Sequence, residues 1–236
     1  MGAIRSWNKE HPHFLVIVDN MMNLELLFKA YELTGNKTLY DIAVTHANTT
    51  IKNHIRSDYS SFHVVDFDEN TGHVIRKYTA QGYSDNSTWA RGEAWLINGF
   101  TTTYRFTKDK RFLQTAEKLS NYYVSHLPED GIAPWDFNVP KQKYHYIPRD
   151  TSSAAIAASG LFELYGFTKN ETYLKTAHKI MDSLSSEKYR ADGKPVYKIP
   201  ALLANATGAG PNAAPGKSDL SIIYADYYFI SNFHYL

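Results

Sequence analysis

The sequence of 236 residues contains no cysteine, which excludes disulfides and thiolate metal sites. It has no long apolar run: FLVIV, residues 14 to 18, is far too short to cross a bilayer and reads as a buried segment. An excess of charge is also missing, with 25 basic against 24 acidic residues. A net charge of +1 argues against a nucleic acid held by electrostatics. No basic-then-apolar leader opens the chain, so no signal peptide is expected. Glycine fingerprints for dinucleotides, the P-loop and the nucleophile elbow are all lacking. The ten histidines show no HExxH spacing, and His11 and His13 read as a loop pair. The expectation is therefore no metal, no cofactor, and neither membrane nor nucleic acid as partner.

What is present is an ordinary globular composition, 43% hydrophobic, with 18 tyrosines and 4 tryptophans. That is enough apolar material for one large core. Aromatic faces suit sugar clefts, although cores use them too. Asn-X-Ser/Thr triplets at Asn36, Asn48, Asn86, Asn170 and Asn205 lean toward a secreted protein and leave localisation open.

A repeat organises the chain. YELTGNKTLYDIA begins at Tyr31, YRFTKDKRFLQTA at Tyr104 and YGFTKNETYLKTA at Tyr165. Each has Thr three residues after the Tyr, then a polar turn, and an Ala twelve after it: Ala43, Ala116 and Ala177. Apolar spacing ahead of each Tyr (Met22, Leu26 and Leu33, or Ile156, Leu161 and Leu164) predicts a walled-in helix, and an amphipathic helix follows the turn. Three such hairpins and a final helix in IIYADYYFISNFHYL predict an all-α fold, a single domain over residues 1–236 forming about three and a half hairpins of an incomplete double ring. The intervening connections are expected over roughly residues 55 to 86, 127 to 149 and 187 to 220.

Measured from the repeat Tyr, unusual polar residues fall at one level. Asp19 lies 12 before Tyr31, Arg91 lies 13 before Tyr104, and Ser152 and Ser153 lie 13 and 12 before Tyr165. Parallel inner helices would gather these N-terminal positions, where helix dipoles favour anions. Asp19, inside FLVIVDNMMNLELLF, is either an N-cap or a buried acid of raised pKa. Arg91 and Trp95 share a helix face, suiting a flat ligand with a carboxylate, or else Arg91 pairs with Glu93 or Asp85. Asp150 in PRDTSSAAI reads as a cap. Trp7 and Trp135 are further sugar platforms or plugs for the ring's end.

GYSDNSTWARGEAWLINGF, LVIVDNMMNLELL, LPEDGIAPWDF and PRDTSSAAIAASGLFEL together resemble glycoside hydrolase family 88, the unsaturated glucuronyl hydrolases, over nearly the whole chain. The resemblance implies a six-hairpin (α/α)6 barrel. It also implies a hydrolase that releases 4,5-unsaturated uronic acid from the non-reducing end of oligosaccharides made by polysaccharide lyases. In that chemistry an aspartic acid protonates the vinyl ether at C4, water adds at C5, and the hemiketal collapses. Carried over by position, the proton donor falls on Asp19 and uronate recognition on Gln81, Ser87, Trp89, Arg91 and Trp95. His63 matches a cleft histidine and Trp7 an aromatic wall. The sister unsaturated rhamnogalacturonyl hydrolases share the WxRGxxW pattern. Family members also carry a second catalytic aspartate in a His-Asp-Ile-Gly context, which the residues before Asp19 do not hold. The chain is therefore expected to be the C-terminal portion of such a barrel, either active when completed or a sugar-binding remnant.

Overall fold

The three repeated segments fold into one kind of helix–turn–helix joint. The computed structural model describes residues 2–6, 13–142, 145–192, 200–210 and 216–236. Helices α1 (Leu24–Thr34) and α2 (Lys37–Asn53), α3 (Ala90–Thr107) and α4 (Lys110–Ser125), and α5 (Thr151–Thr168) and α6 (Glu171–Ser185) are the three pairs. The repeat Thr closes the first helix, its hydroxyl donating back to the carbonyl of Ala30, Thr103 or Leu164. Next comes a left-handed residue, Gly35, Lys108 or Lys169, with φ of 69°, 55° and 58°. Its N–H returns to the repeat Tyr carbonyl. Asn36, Asp109 or Asn170 then caps the second helix by accepting from the N–H two residues on. Two of the Asn triplets are thus accounted for as caps. Ala43, Ala116 and Ala177 are fully buried, and their small side chains let each second helix settle on the first.

A seventh helix, α7 (Ile223–Ser231), follows, making seven α-helices among the described residues. Helices α1, α3, α5 and α7 pack one against the next, while α2, α4 and α6 back the first three. Helices α3 and α5 run parallel. Arg91 reaches Ser152 and Asn98 meets Ser159, both 61 residues apart, the same as the spacing of the second and third repeats. Close approach needs glycine here: a Cβ on Gly160 would stand 2.9 Å from Ile97 Cγ2 and 3.0 Å from the Asn98 nitrogen. No described helix is long and apolar enough to cross a membrane.

Two expectations need correcting. FLVIV is not simply a buried segment: β1 (Phe14–Ile17) pairs antiparallel with β2 (Val64–Phe67), which pairs with β3 (Val74–Tyr78), so the connection expected over 55 to 86 holds two strands. A run of four residues that is apolar throughout carries no period of two, so the strand cannot be told from a buried helix segment by pattern. On α1 the stripe Met22, Leu26 and Leu33 does not face the core. Met21, Leu24 and Phe28 are buried instead, each contributing about 1.5–3 kcal/mol, while Leu26 is 72% and Leu33 87% exposed. The chain enters this helix through a 3-10 turn, Val18–Asn23, whose tighter winding shifts the face by one residue.

Candidate active site

The sheet places the two groups at the centre of the site. Ile17 pairs with Val64, and the Val18 N–H donates to the His63 carbonyl at 3.0 Å, so Asp19 and His63 leave adjoining strands side by side. His63 Nε2 stands 3.8 Å from Asp19 Oδ2. Neither atom has another partner among the described residues, and nor does the indole Nε1 of Trp89, whose ring stacks on His63 at 4.3 Å. Adjacent buried polar atoms without partners are where a ligand's polar groups are expected.

Asp19 is not an N-cap: it lies inside the 3-10 turn Val18–Asn23, whose cap position is Ile17. Burial pushes its carboxyl up to about 6, against the lowering influence of the Arg91 charge and hydrogen bonds from its own backbone and Trp95. One-fifth of the side chain stays open, enough for a substrate to reach it. His63 has a definite tautomer. The Ala80 N–H donates to Nδ1 at 3.2 Å, so the neutral ring carries its hydrogen on Nε2, facing Asp19. Burial, then the charges of Arg91 and His54, lower His63 to about 3. It is therefore neutral across the physiological range and cannot accept the proton of Asp19 at its only free nitrogen.

Arg91, in the first turn of α3, is buried with its guanidinium 4.5 Å from the Trp89 ring centroid. It pairs with neither Glu93 nor Asp85. Nη1 donates to Asp150 Oδ2 (2.9 Å), Ser152 Oγ (3.1 Å) and the Thr207 carbonyl (2.6 Å), and Nη2 to the Gly208 carbonyl (2.8 Å). Half of its fork is closed by Asp150, which also caps α5 through the Ser152 N–H. The pairing spans 59 residues, beyond what local spacing can reveal. Gln81 Nε2 reaches the same Gly208 oxygen at 2.5 Å, so two donors from separate segments converge on one acceptor. Trp95 is buried against Tyr224 and Tyr228 of α7.

Ser87 does not join this cluster. Its hydroxyl lies 2.6 Å from Asp136 Oδ2 and 2.7 Å from the Ser84 carbonyl, tying its own loop together. Trp135 is buried beneath Tyr83. Trp7 lies outside the described residues. Glu93 reads in the sequence only as one candidate partner for Arg91, and the structure gives it a different setting. It is fully buried, accepts from Ser61 Oγ at 2.6 Å, and burial raises its carboxyl to about 8.

Comparison with known proteins identifies the relatives of this chain. The family described as Glycosyl Hydrolase Family 88 matches residues 5–209. The chain is 47% identical over 232 residues to the unsaturated glucuronyl hydrolase of Formosa agariphila, covering 97% of this chain and 56% of that protein. It is 34% identical over 238 residues to the unsaturated chondroitin disaccharide hydrolase of Streptococcus agalactiae, covering 97% and 58%. A crystal structure of an unsaturated glucuronyl hydrolase specific for heparin superposes with a TM-score of 0.91 at 41% identity, over 99% of this chain and 62% of that one. The Bacillus sp. GL1 unsaturated glucuronyl hydrolase gives 0.87 at 31%, over 98% and 62%. The chain thus spans little more than half the length of the curated relatives it matches. With its helical hairpins, its buried acid and these relatives, the chain belongs to glycoside hydrolase family 88.

Proposed function

We propose that the intact protein releases a 4,5-unsaturated uronic acid from the non-reducing end of an oligosaccharide, with Asp19 as the proton donor. The observation that carries this reading is a carboxyl held near 6 whose free oxygen faces an N–H that can only donate. A proton leaving Asp19 cannot pass to His63, so it goes to the substrate. In the proposed sequence it moves from the carboxyl to C4, leaving cationic character at C5 beside the ring oxygen. Water adds at C5, returning a proton to the carboxylate, and the hemiketal opens to release the sugar. The His63 N–H holds the carboxylate between the two transfers. Trp89, Trp95 and Trp7 are assigned to the walls of the sugar site.

For the uronate carboxylate we propose the acceptor position now filled by the Gly208 carbonyl, where Arg91 Nη2 and Gln81 Nε2 converge. The helices are proposed to be part of an (α/α)6 ring, a single domain when complete. Support comes from the apolar residues left exposed on the outermost members of the row: Leu26 and Leu33 on α1, and Ile223 at 81%, Tyr227 and Ile230 on α7.

The test is Asp19→Asn in the intact protein, with turnover followed as loss of absorbance from the conjugated double bond. The expected result is a fall in kcat of about 10²–10⁴-fold with little change in KM. Retention of most activity would remove Asp19 from the role. Unimpaired sugar binding without turnover in the wild type would instead favour a binding remnant.

A further inference from the structure

A cleft of about 710 Å³ is lined in part by the segment that leads into α5. Pro134 and Arg149, which form a bridge between two backbone segments, both line it. Asp150, the next residue, reaches Arg91, while none of Asp19, His63, Trp89, Arg91 or Trp95 touches the cleft. It is therefore separate from the candidate active site, within the size range of small-ligand sites.

Two features of its lining point to a ligand. The first is Tyr146, a residue 54% exposed whose hydroxyl donates to Asp219 Oδ1 at 2.8 Å. Burial and the neighbouring Asp219 raise it to about 12, so the hydroxyl keeps the proton it donates at ordinary pH. A ring fixed at its far end and open on its face loses little freedom when a sugar stacks upon it. The second is charge. Lys141, Arg149 and Lys188 all line the cleft. Asp136, the one lining carboxylate among the described residues, is buried and accepts from the Tyr83 N–H, Ser87 Oγ and the Asn138 N–H. Asp130 nearby pairs with Lys188 and Arg149, which leaves Lys141 exposed and without an ion pair among the described residues.

A stacking platform beside an uncompensated cation is the chemistry of an acidic pyranose. We propose that this cleft is a second carbohydrate site, binding an internal carboxylate- or sulfate-bearing unit of a polysaccharide. The choice of a polysaccharide rests on the function proposed above. The site would hold the protein on the polymer while chain ends are processed elsewhere.

The experiment titrates the intact protein with three chains lacking an unsaturated end: hyaluronan, chondroitin sulfate and neutral dextran. Binding of the two acidic chains, weakening with salt, is expected, with none for dextran. Tyr146→Ala and Lys141→Glu should each weaken it about tenfold, while kcat/KM on an unsaturated disaccharide stays within about twofold. Tyr146→Phe, which keeps the ring and frees it from Asp219, should fall between. Undiminished binding by Tyr146→Ala would overturn the proposal, as would loss of binding through Trp95→Ala alone. Equal competition by polyphosphate would reduce the cleft to a general anion patch. Failure of disaccharide turnover in the wild type would count against the proposed reaction and leave this measurement intact.

Discussion

Asp19 and Arg91 show how one residue's neighbours set its chemistry. A donor carboxyl near 6 is charged above that value, so kcat/KM should fall as pH rises through about 6. Arg91 is one cause that keeps Asp19 from rising further. Arg91→Lys retains the charge and loses the planar fork, so the pH at which activity falls should hardly move. If the carboxylate displaces the Gly208 carbonyl, the same variant should lose about 10–100-fold in affinity for the acid form of the substrate. Affinity for a methyl ester should change far less. An arginine that only pins Asp150 and the loop would instead lower thermal stability and leave the acid-to-ester preference as it was. Titrating both proteins with both ligands separates the two roles.

The recurring joint belongs to the scale of the element, where the sequence is most legible. Tyr, Thr and Ala positions, the caps and the helix starts near Trp89, Thr151 and Ile222 all follow from local chemistry, because each bond in the joint spans four residues or fewer. Lys108 and Lys169 occupy left-handed positions that Gly35 fills in the first joint. Lys169→Gly should therefore stabilise by roughly 0.5–1 kcal/mol, reduced by whatever the lysine gains over the Tyr165 ring. Chemical denaturation of the single variant decides this, and a loss of stability would show that the ring contact outweighs the backbone. What the sequence does not show is long-range. The Arg91–Asp150 pair, the convergence of Gln81 on Gly208 and the β1–β2 ladder join segments whose partners leave no local trace. The same holds for the exposed stripe on α1, where a single residue of extra winding decides which side meets the core.

At the scale of the whole molecule, buried titratable groups shape stability in opposite directions. His46 is lowered to about 4 by burial, and His54 and His63 to about 3, chiefly by burial. The unfolded chain binds their protons first, so stability falls as pH drops below about 6.5. Asp19 and Glu93 are raised, so the folded chain holds their protons longer, and stability falls as pH rises, through 6 for Asp19 and 8 for Glu93. Of these five groups, three against two favour rising stability up to about pH 6, three against one continue the rise to about 6.5, and above that the Glu93 contribution prevails, which places the maximum just above 6.5. Glu93→Gln keeps an acceptor for Ser61 and should flatten the decline between about pH 7 and 8 in a series of melting curves. An unchanged slope would mean that Glu93 ionises without cost. The exposed rows on α1 and α7 carry a different consequence, for handling. A molecule with a net charge of only +1 has almost no electrostatic repulsion to keep two such wetted seams apart. Its second virial coefficient should be negative near neutral pH, and sulfate should drive copies together sooner than chloride.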